Sequence, residues 1–221
     1  MMALCLFVAG LPAHAAGDPF GWHHSPSTQI TPGNVARLTP AWTHRNGDMA
    51  AEQGAPSSVS AQATPILLPR EAGEHLVYCT PFNRVIALDP RSGLERWVYD
   101  PRVPRTSERP YRCRGVAYAE VPQADAAAAC RHRIYTVTVD RRLIALDARD
   151  GKPCAGFGHR GEVTLVEHDR YGLEKVSSSS PPVVANGVVV VGSSIIDFAF
   201  AKAPRGAIAA YDADTGAPRW T

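Results

Sequence analysis

The chain has 221 residues, 45% of them apolar and 20% charged, and a net charge of +2. That balance excludes a disordered tail, which combines low hydrophobicity with high net charge, and gives no support to a nucleic-acid binder. The length allows one domain or two small ones, and 18 glycines with 19 prolines signal many turns.

Residues 1–16 open on an apolar run, Ala3 to Leu11, followed by Ala13-His14-Ala15, a small-x-small site of the kind signal peptidase cuts. The positive n-region of a secretory signal is missing. The run therefore reads as the end of a signal, the remnant of an upstream membrane segment, or a mis-assigned start, and all three imply export. It is far short of the roughly 20 residues of a spanning helix. The folded part is expected over 17–221. Thr31 to Leu38 predicts one helical turn, with Thr31 as N-cap and Pro32 at its first position.

A repeat then runs along the chain. Residues 84–97, 142–154 and 206–220 share an apolar-Ala-apolar-Asp-x-x-x-Gly unit, with Asp89, Asp147 and Asp212 in register and Trp97 and Trp220 after the turn. A partial copy ends at Trp42. In the middle copy Ala155 occupies the tryptophan slot and Phe157 follows two later. Asp and Gly make the turn, because Asp bonds local backbone and Gly accepts positive φ. The next strand then carries the indole to a neighbouring unit. Repeats of this length signal propellers or arrays.

Between the copies, short strands are predicted over His75–Cys79, Val116–Val121, Arg133–Val139, Val163–Val166 and Val183–Gly192, the last folded back at Asn186-Gly187. Ala124–Ala129 is expected as a short helix. The class is all-β, and a β-propeller fits best.

Five cysteines suit an exported chain. Cys5 falls in the leader; Cys79, Cys113, Cys130 and Cys154 allow two disulfides in three pairings, or four buried thiols. Cys113–Cys130, flanking one inserted segment, is the expected pair. Arginines cluster at Arg102, Arg105, Arg109, Arg112 and Arg114 with only Glu108 opposing them. Such a run is either a solvated face or a site for an anionic ligand.

In this order and spacing, the residues resemble a known family. Gln29-Ile30-Thr31-Pro32-Gly33-Asn34-Val35-Ala36-Arg37-Leu38, Ala41-Trp42, Gly47-Asp48, Thr64-Pro65, Tyr78-Cys79-Thr80, Cys113-Arg114-Gly115-Val116-Ala117-Tyr118, Gly151-Lys152-Pro153-Cys154 and Ser180-Pro181-Pro182 carry the likeness. It is to the pyrroloquinoline quinone (PQQ) dependent dehydrogenases, closest to the membrane-bound glucose and quinate/shikimate branch.

The resemblance implies an eight-bladed propeller, of which this chain holds the first three to four blades. It implies PQQ on the axis beside Ca2+ or Mg2+, a sugar or polyol substrate (glucose foremost), ubiquinone as acceptor, and a periplasmic site at the inner membrane. Carried over residue by residue, it assigns cofactor contacts to Gln62, Arg114, Thr138 and Ser194 and a metal ligand to Asp197.

The family's base aspartate belongs to later blades, and Asp89, Asp147 and Asp212 belong to turns. No catalytic residue is therefore assigned, and the chain alone is not expected to turn over substrate. Departures are Pro110 where relatives carry His, Phe198 after the metal ligand, and Arg141 where Gly is usual. His23 and His24 read as exposed loop residues. A non-catalytic propeller scaffold is the competing class; it needs the repeat but not Arg114, Cys113, Thr138 or Asp197.

Overall fold

The computed structural model describes residues 28–48, 59–105, 111–122, 128–165, 176–195 and 206–221. The leader, His23, His24, Pro110, Asp197, Phe198 and most of the expected Ala124–Ala129 helix lie outside them.

Three four-stranded antiparallel sheets follow one another in sequence, as in a propeller. The first runs β2 (Ile66–Leu67), β3 (Leu76–Cys79), β4 (Val85–Leu88), β5 (Glu95–Tyr99). The second runs β7 (Ala117–Glu120), β8 (His132–Val137), β9 (Arg142–Asp147), β10 (Glu162–Thr164). The third runs β12 (Val183–Ala185), β13 (Val188–Gly192), β15 (Ile208–Asp212), β16 (Pro218–Trp220). Two ribbons join them. β1 (Val59–Ala61) pairs in parallel with β6 (Tyr111–Cys113), and β11 (Val176–Ser177) pairs antiparallel with β14 (Ser194–Ile195).

The repeat builds three matching turns. Asp89 accepts the amides of Arg91 and Ser92, and the Gly93 amide closes on the Asp89 carbonyl. Asp147 with Gly151 and Asp212 with Gly216 repeat this closure, each glycine lying near φ +70° to +75°. The neighbouring blade exploits each glycine. The Trp42 indole lies on Gly93 and donates to the Pro90 carbonyl at 3.2 Å; that of Trp97 lies on Gly151 and donates to Ala148 at 3.2 Å.

The third seam lacks its tryptophan and is closed by several other residues: Val163 packs on Gly216, and the Gly158 amide donates to the Thr215 carbonyl at 2.8 Å. Phe157 packs beside Gly216, Tyr135 donates its hydroxyl to the Ala213 carbonyl at 2.6 Å, and Arg133 donates to the Ala213 and Asp214 carbonyls. Ala213 follows its turn aspartate as Pro90 and Ala148 follow theirs, so the same acceptor is met by different donors. The apolar residues of the middle blade alternate across its sheet. Ile134, Ile144 and Leu146 face the first blade, while Tyr135, Val137, Leu143 and Ala145 face the third. Burial on both faces explains why β8 and β9 read as nearly continuous apolar runs.

Two expectations change. The turn at Thr31 is a 3-10 segment over Val35–Arg37 that starts after Asn34, with no side-chain cap; Thr31 donates its amide to Asn34 Oδ1 instead of capping. The disulfides are Cys79–Cys113 and Cys130–Cys154, with Cα separations of 5.9 and 5.7 Å, and not Cys113–Cys130. The reason is strand direction: Cys113 lies before the start of β7, whereas Cys130 precedes β8, whose first residue pairs with Glu120 at the far end of β7. Proximity in sequence placed those two cysteines at opposite ends of one sheet. Finally, Arg141 holds a left-handed backbone at φ 68°, matching Asn83 at φ 62° in the preceding blade, which is why a glycine suits that position.

Candidate functional site

The segments entering the three inner strands meet at one end of the sheets. In the β1–β6 ribbon Ala61 pairs with Cys113, so Gln62 and Arg114 emerge side by side, one residue on. The Thr64 amide donates to the Arg114 carbonyl at 3.0 Å, and the Arg114 amide donates to the Ser179 carbonyl at 3.1 Å. The chains leading into β2, β7 and β12 are thus laced across the entrance. The Arg114 guanidinium donates to Ser179 Oγ at 2.7 Å and remains exposed. Gln62 is exposed and donates to Ser60 Oγ at 3.0 Å.

Ser194 comes from the other ribbon. It opposes Ser177 in the β11–β14 ribbon, two residues before Ser179. The Ser178 hydroxyl donates to the Gly192 carbonyl at 3.1 Å and ties that ribbon to the end of β13. Gln62 and Arg114 thus emerge together from the first ribbon, and Ser194 lies in the second, opposite Ser177 and two residues along from Arg114's partner Ser179. Ser179 was not singled out from sequence. Its signal was a run of hydroxyls, Ser177 to Ser180, directly ahead of Pro181-Pro182 and an inner strand.

Thr138 has a different position. It is fully buried, and its hydroxyl accepts the Arg142 amide at 3.0 Å across the β8–β9 turn. Thr80 does the same for Arg84, and Ser193 does it for Ala207. In all three blades this residue's amide also donates to the partner's carbonyl: Thr80 to Arg84, Thr138 to Arg142, Ser193 to Ala207. A hydroxyl here closes the second turn of each blade. In the third blade the two partners of that closure, Ser193 and Ala207, are separated in sequence by residues 194–206, which include Ser194 and Asp197. Asp197 lies outside the described residues. Among those residues, no group of three or more acidic, histidine or cysteine side chains gathers as a metal cluster.

The arginine run divides its labour. Arg105 stacks on the Phe82 ring at 4.2 Å, Arg102 donates its amide to Asp100, Arg112 sits within the ribbon opposite Ser60, and Arg114 emerges at its end; Arg109 lies outside the described residues. Behind them, buried Asp48 accepts from Phe82 N at 2.9 Å and from the Arg84 guanidinium, fixing the Thr80–Arg84 turn. A cavity of about 290 Å³ adjoins the ribbon, lined by Trp42, His44, Tyr78 and Leu88 and by Ala61 and Ala63 on either side of Gln62. There His44 joins the Tyr78 hydroxyl at 2.7 Å to Glu95 at 2.8 Å. Burial pushes the Tyr78 phenol up from its ordinary value.

The entrance therefore offers an exposed guanidinium, a carboxamide and hydroxyls. These groups donate hydrogen bonds, and the guanidinium suits an anionic ligand.

Comparison with known proteins gives the family. Residues 13–221 match the family described as PQQ: glucose/ethanol/alcohol dehydrogenase, beta-propeller domain. The chain is 36% identical over 94% of its length to the quinate/shikimate dehydrogenase (quinone) of Acinetobacter baylyi, covering 27% of that protein. It is 35% identical over 92% of its length to the glycerol dehydrogenase large subunit of Gluconobacter oxydans, again covering 27%. Against quinoprotein glucose dehydrogenase A of Acinetobacter calcoaceticus it is 32% identical over 90% of its length and covers 26%. The chain thus spans about a quarter of the length of these curated relatives. Among solved structures, a europium-containing methanol dehydrogenase superposes with a TM-score of 0.61 at 25% identity, over 87% of this chain and 28% of that one. The quinohemoprotein alcohol dehydrogenase of Comamonas testosteroni gives 0.56 at 27% identity, over 74% and 21%.

Proposed function

The chain belongs to the PQQ-dependent dehydrogenase family, and from that premise we propose that its entrance forms part of the cofactor site of a quinoprotein oxidising a sugar or polyol hydroxyl. The observation that carries this reading is Arg114. Its strand, its two backbone bonds and its side-chain bond to Ser179 hold an exposed guanidinium beside Gln62. PQQ bears three carboxylates, and a guanidinium fork is their apt partner.

Each residue has a task in this reading. Arg114 and Gln62 bind and orient the cofactor's acidic rim, and Ser194 donates from the opposite ribbon. Thr138 acts through its turn, shaping the wall from behind. Asp197 is proposed as the ligand of Ca2+ or Mg2+, since hard cations take carboxylate oxygen. When bound, PQQ supplies the quinone that accepts hydride from the substrate carbon. The base that removes the hydroxyl proton is proposed to lie in the remainder of the protein.

Glucose is the first substrate to test and quinate or shikimate the second; glycerol joins them because two relatives carry that name. Ubiquinone is the proposed acceptor, at the periplasmic face of the inner membrane. No helix among the described residues is long and apolar enough to cross a membrane.

The test is reconstitution of the full-length protein with PQQ and Ca2+, followed by dye-linked oxidation of glucose, quinate, shikimate and glycerol. Cofactor-dependent turnover of one of them is expected. PQQ binding without turnover of any polyol would overturn the substrate class. No PQQ binding at all would favour the scaffold reading, which needs the repeat but not the Gln62–Arg114 ribbon.

A further inference from the structure

Arg114 stands on a slender support. The ribbon that delivers it has only three residue pairs, from Val59↔Tyr111 to Ala61↔Cys113, and short two-stranded ribbons are marginal by themselves. It is fastened to the first blade at both ends. At one end Tyr111 packs edge-on to Phe82, with ring centroids 5.0 Å apart, and donates its hydroxyl to the Pro104 carbonyl at 2.8 Å. At the other end Cys113, adjacent to Arg114, is bonded to Cys79, the last residue of β3. Both half-cystines are buried. Cys79 also directly precedes Thr80, which closes the Thr80–Arg84 turn. The bridge therefore joins the first blade's turn to the residue beside the candidate cofactor arginine.

We propose that the Cys79–Cys113 disulfide is a positioning element of the cofactor site, holding Arg114 and its neighbour Gln62 in the geometry that takes the anionic ligand. This rests on the PQQ reading above. The second disulfide, Cys130–Cys154, has a different place. Cys130 directs its carbonyl to Arg133, which clamps the third seam, away from the entrance. It is the natural control.

The experiment uses full-length Cys130→Ala/Cys154→Ala protein, in which Cys79–Cys113 is the one bridge left among these four cysteines. The protein is folded oxidised and then treated with a dithiol. The Cys79–Cys113 bond takes two electrons and two protons to give two thiols, and the dithiol closes to its own disulfide. PQQ affinity is read by absorbance titration with Ca2+, and main-chain mobility by hydrogen exchange over residues 111–116. Before reduction, affinity should match wild type. After reduction it should fall at least tenfold, with faster exchange over 111–116 and unchanged strand content. A Cys79→Ala/Cys113→Ala variant should show the same loss.

Unchanged affinity and exchange after complete thiol formation would overturn the proposal. If oxidised wild type binds no PQQ, the cofactor reading fails on its own. Exchange then decides: faster exchange sustains the ribbon's dependence on the bridge, and unchanged exchange overturns it.

Discussion

The docking of Trp97 on Gly151 can be tested by a double-mutant cycle. Trp97 is 9% exposed, lies on the Gly151 turn and donates to Ala148 across the seam. Truncating a buried tryptophan to alanine costs about 3–5 kcal/mol. Gly151 lies at φ +72°, and a Cβ there would run into the indole ring. Gly151→Ala should therefore cost about 1–2 kcal/mol from the left-handed backbone and about 1–3 kcal/mol from overpacking. Only the second part depends on the indole. In Trp97→Ala/Gly151→Ala the overpacking vanishes, so the pair should cost about 4–7 kcal/mol, which is about 1–3 kcal/mol less than the sum of the single changes. Urea unfolding followed by circular dichroism measures all three. Strict additivity, or a Gly151→Ala cost below about 0.5 kcal/mol, would refute close docking.

Other outcomes follow from the same geometry. Trp97→Phe removes the indole N–H that donates to the Ala148 carbonyl, whereas Tyr135→Phe leaves Ala213 still bonded to Arg133. Thermal melts should therefore show a cost of about 1–3 kcal/mol for the first and about 1 kcal/mol or less for the second. Cys130→Ala/Cys154→Ala opens a loop with a sequence separation of 24 and should destabilise by about 3 kcal/mol, read as a urea midpoint shift without loss of PQQ affinity. His132 is buried against the Tyr118 hydroxyl at 2.8 Å, and burial holds its pKa below the ordinary value of 6.5. Its stabilising contribution is present above pH 6.5 and is lost as pH falls through the lower folded value. Melts of wild type should thus weaken on acidification through that window, while His132→Gln shows a flatter profile.

The repeat and its consequences were legible because they rest on local chemistry. Asp89, Asp147 and Asp212 build the same turn, and Trp42 and Trp97 dock as their position after the turn implies. The third seam was not legible, because Phe157, Tyr135 and Arg133 share a task that one tryptophan performs elsewhere, and they come from separate strands and turns. Cysteine pairing failed for a related reason: sequence proximity does not say which end of a sheet a residue occupies, and Cys113 and Cys130 occupy opposite ends of β7. Thr138 lies at the right end of the blade, but its hydroxyl serves a turn that Thr80 and Ser193 close in the same way. That equivalence is invisible until the turns are superposed, because the third one is interrupted by residues 194–206. Gln62 and Arg114 are assigned through their surrounding residues, and strand pairing sets them side by side.

The central claim is that Arg114 holds a polycarboxylate cofactor. It is tested most directly by titrating full-length wild-type and Arg114→Ala protein with PQQ in the presence of Ca2+, watching the quinone absorbance. Losing a hydrogen-bonded charge partner costs about 1.5–3 kcal/mol, so affinity should fall by about 10- to 100-fold, with Arg114→Lys between the two. Equal PQQ affinity in wild type and Arg114→Ala would contradict the account.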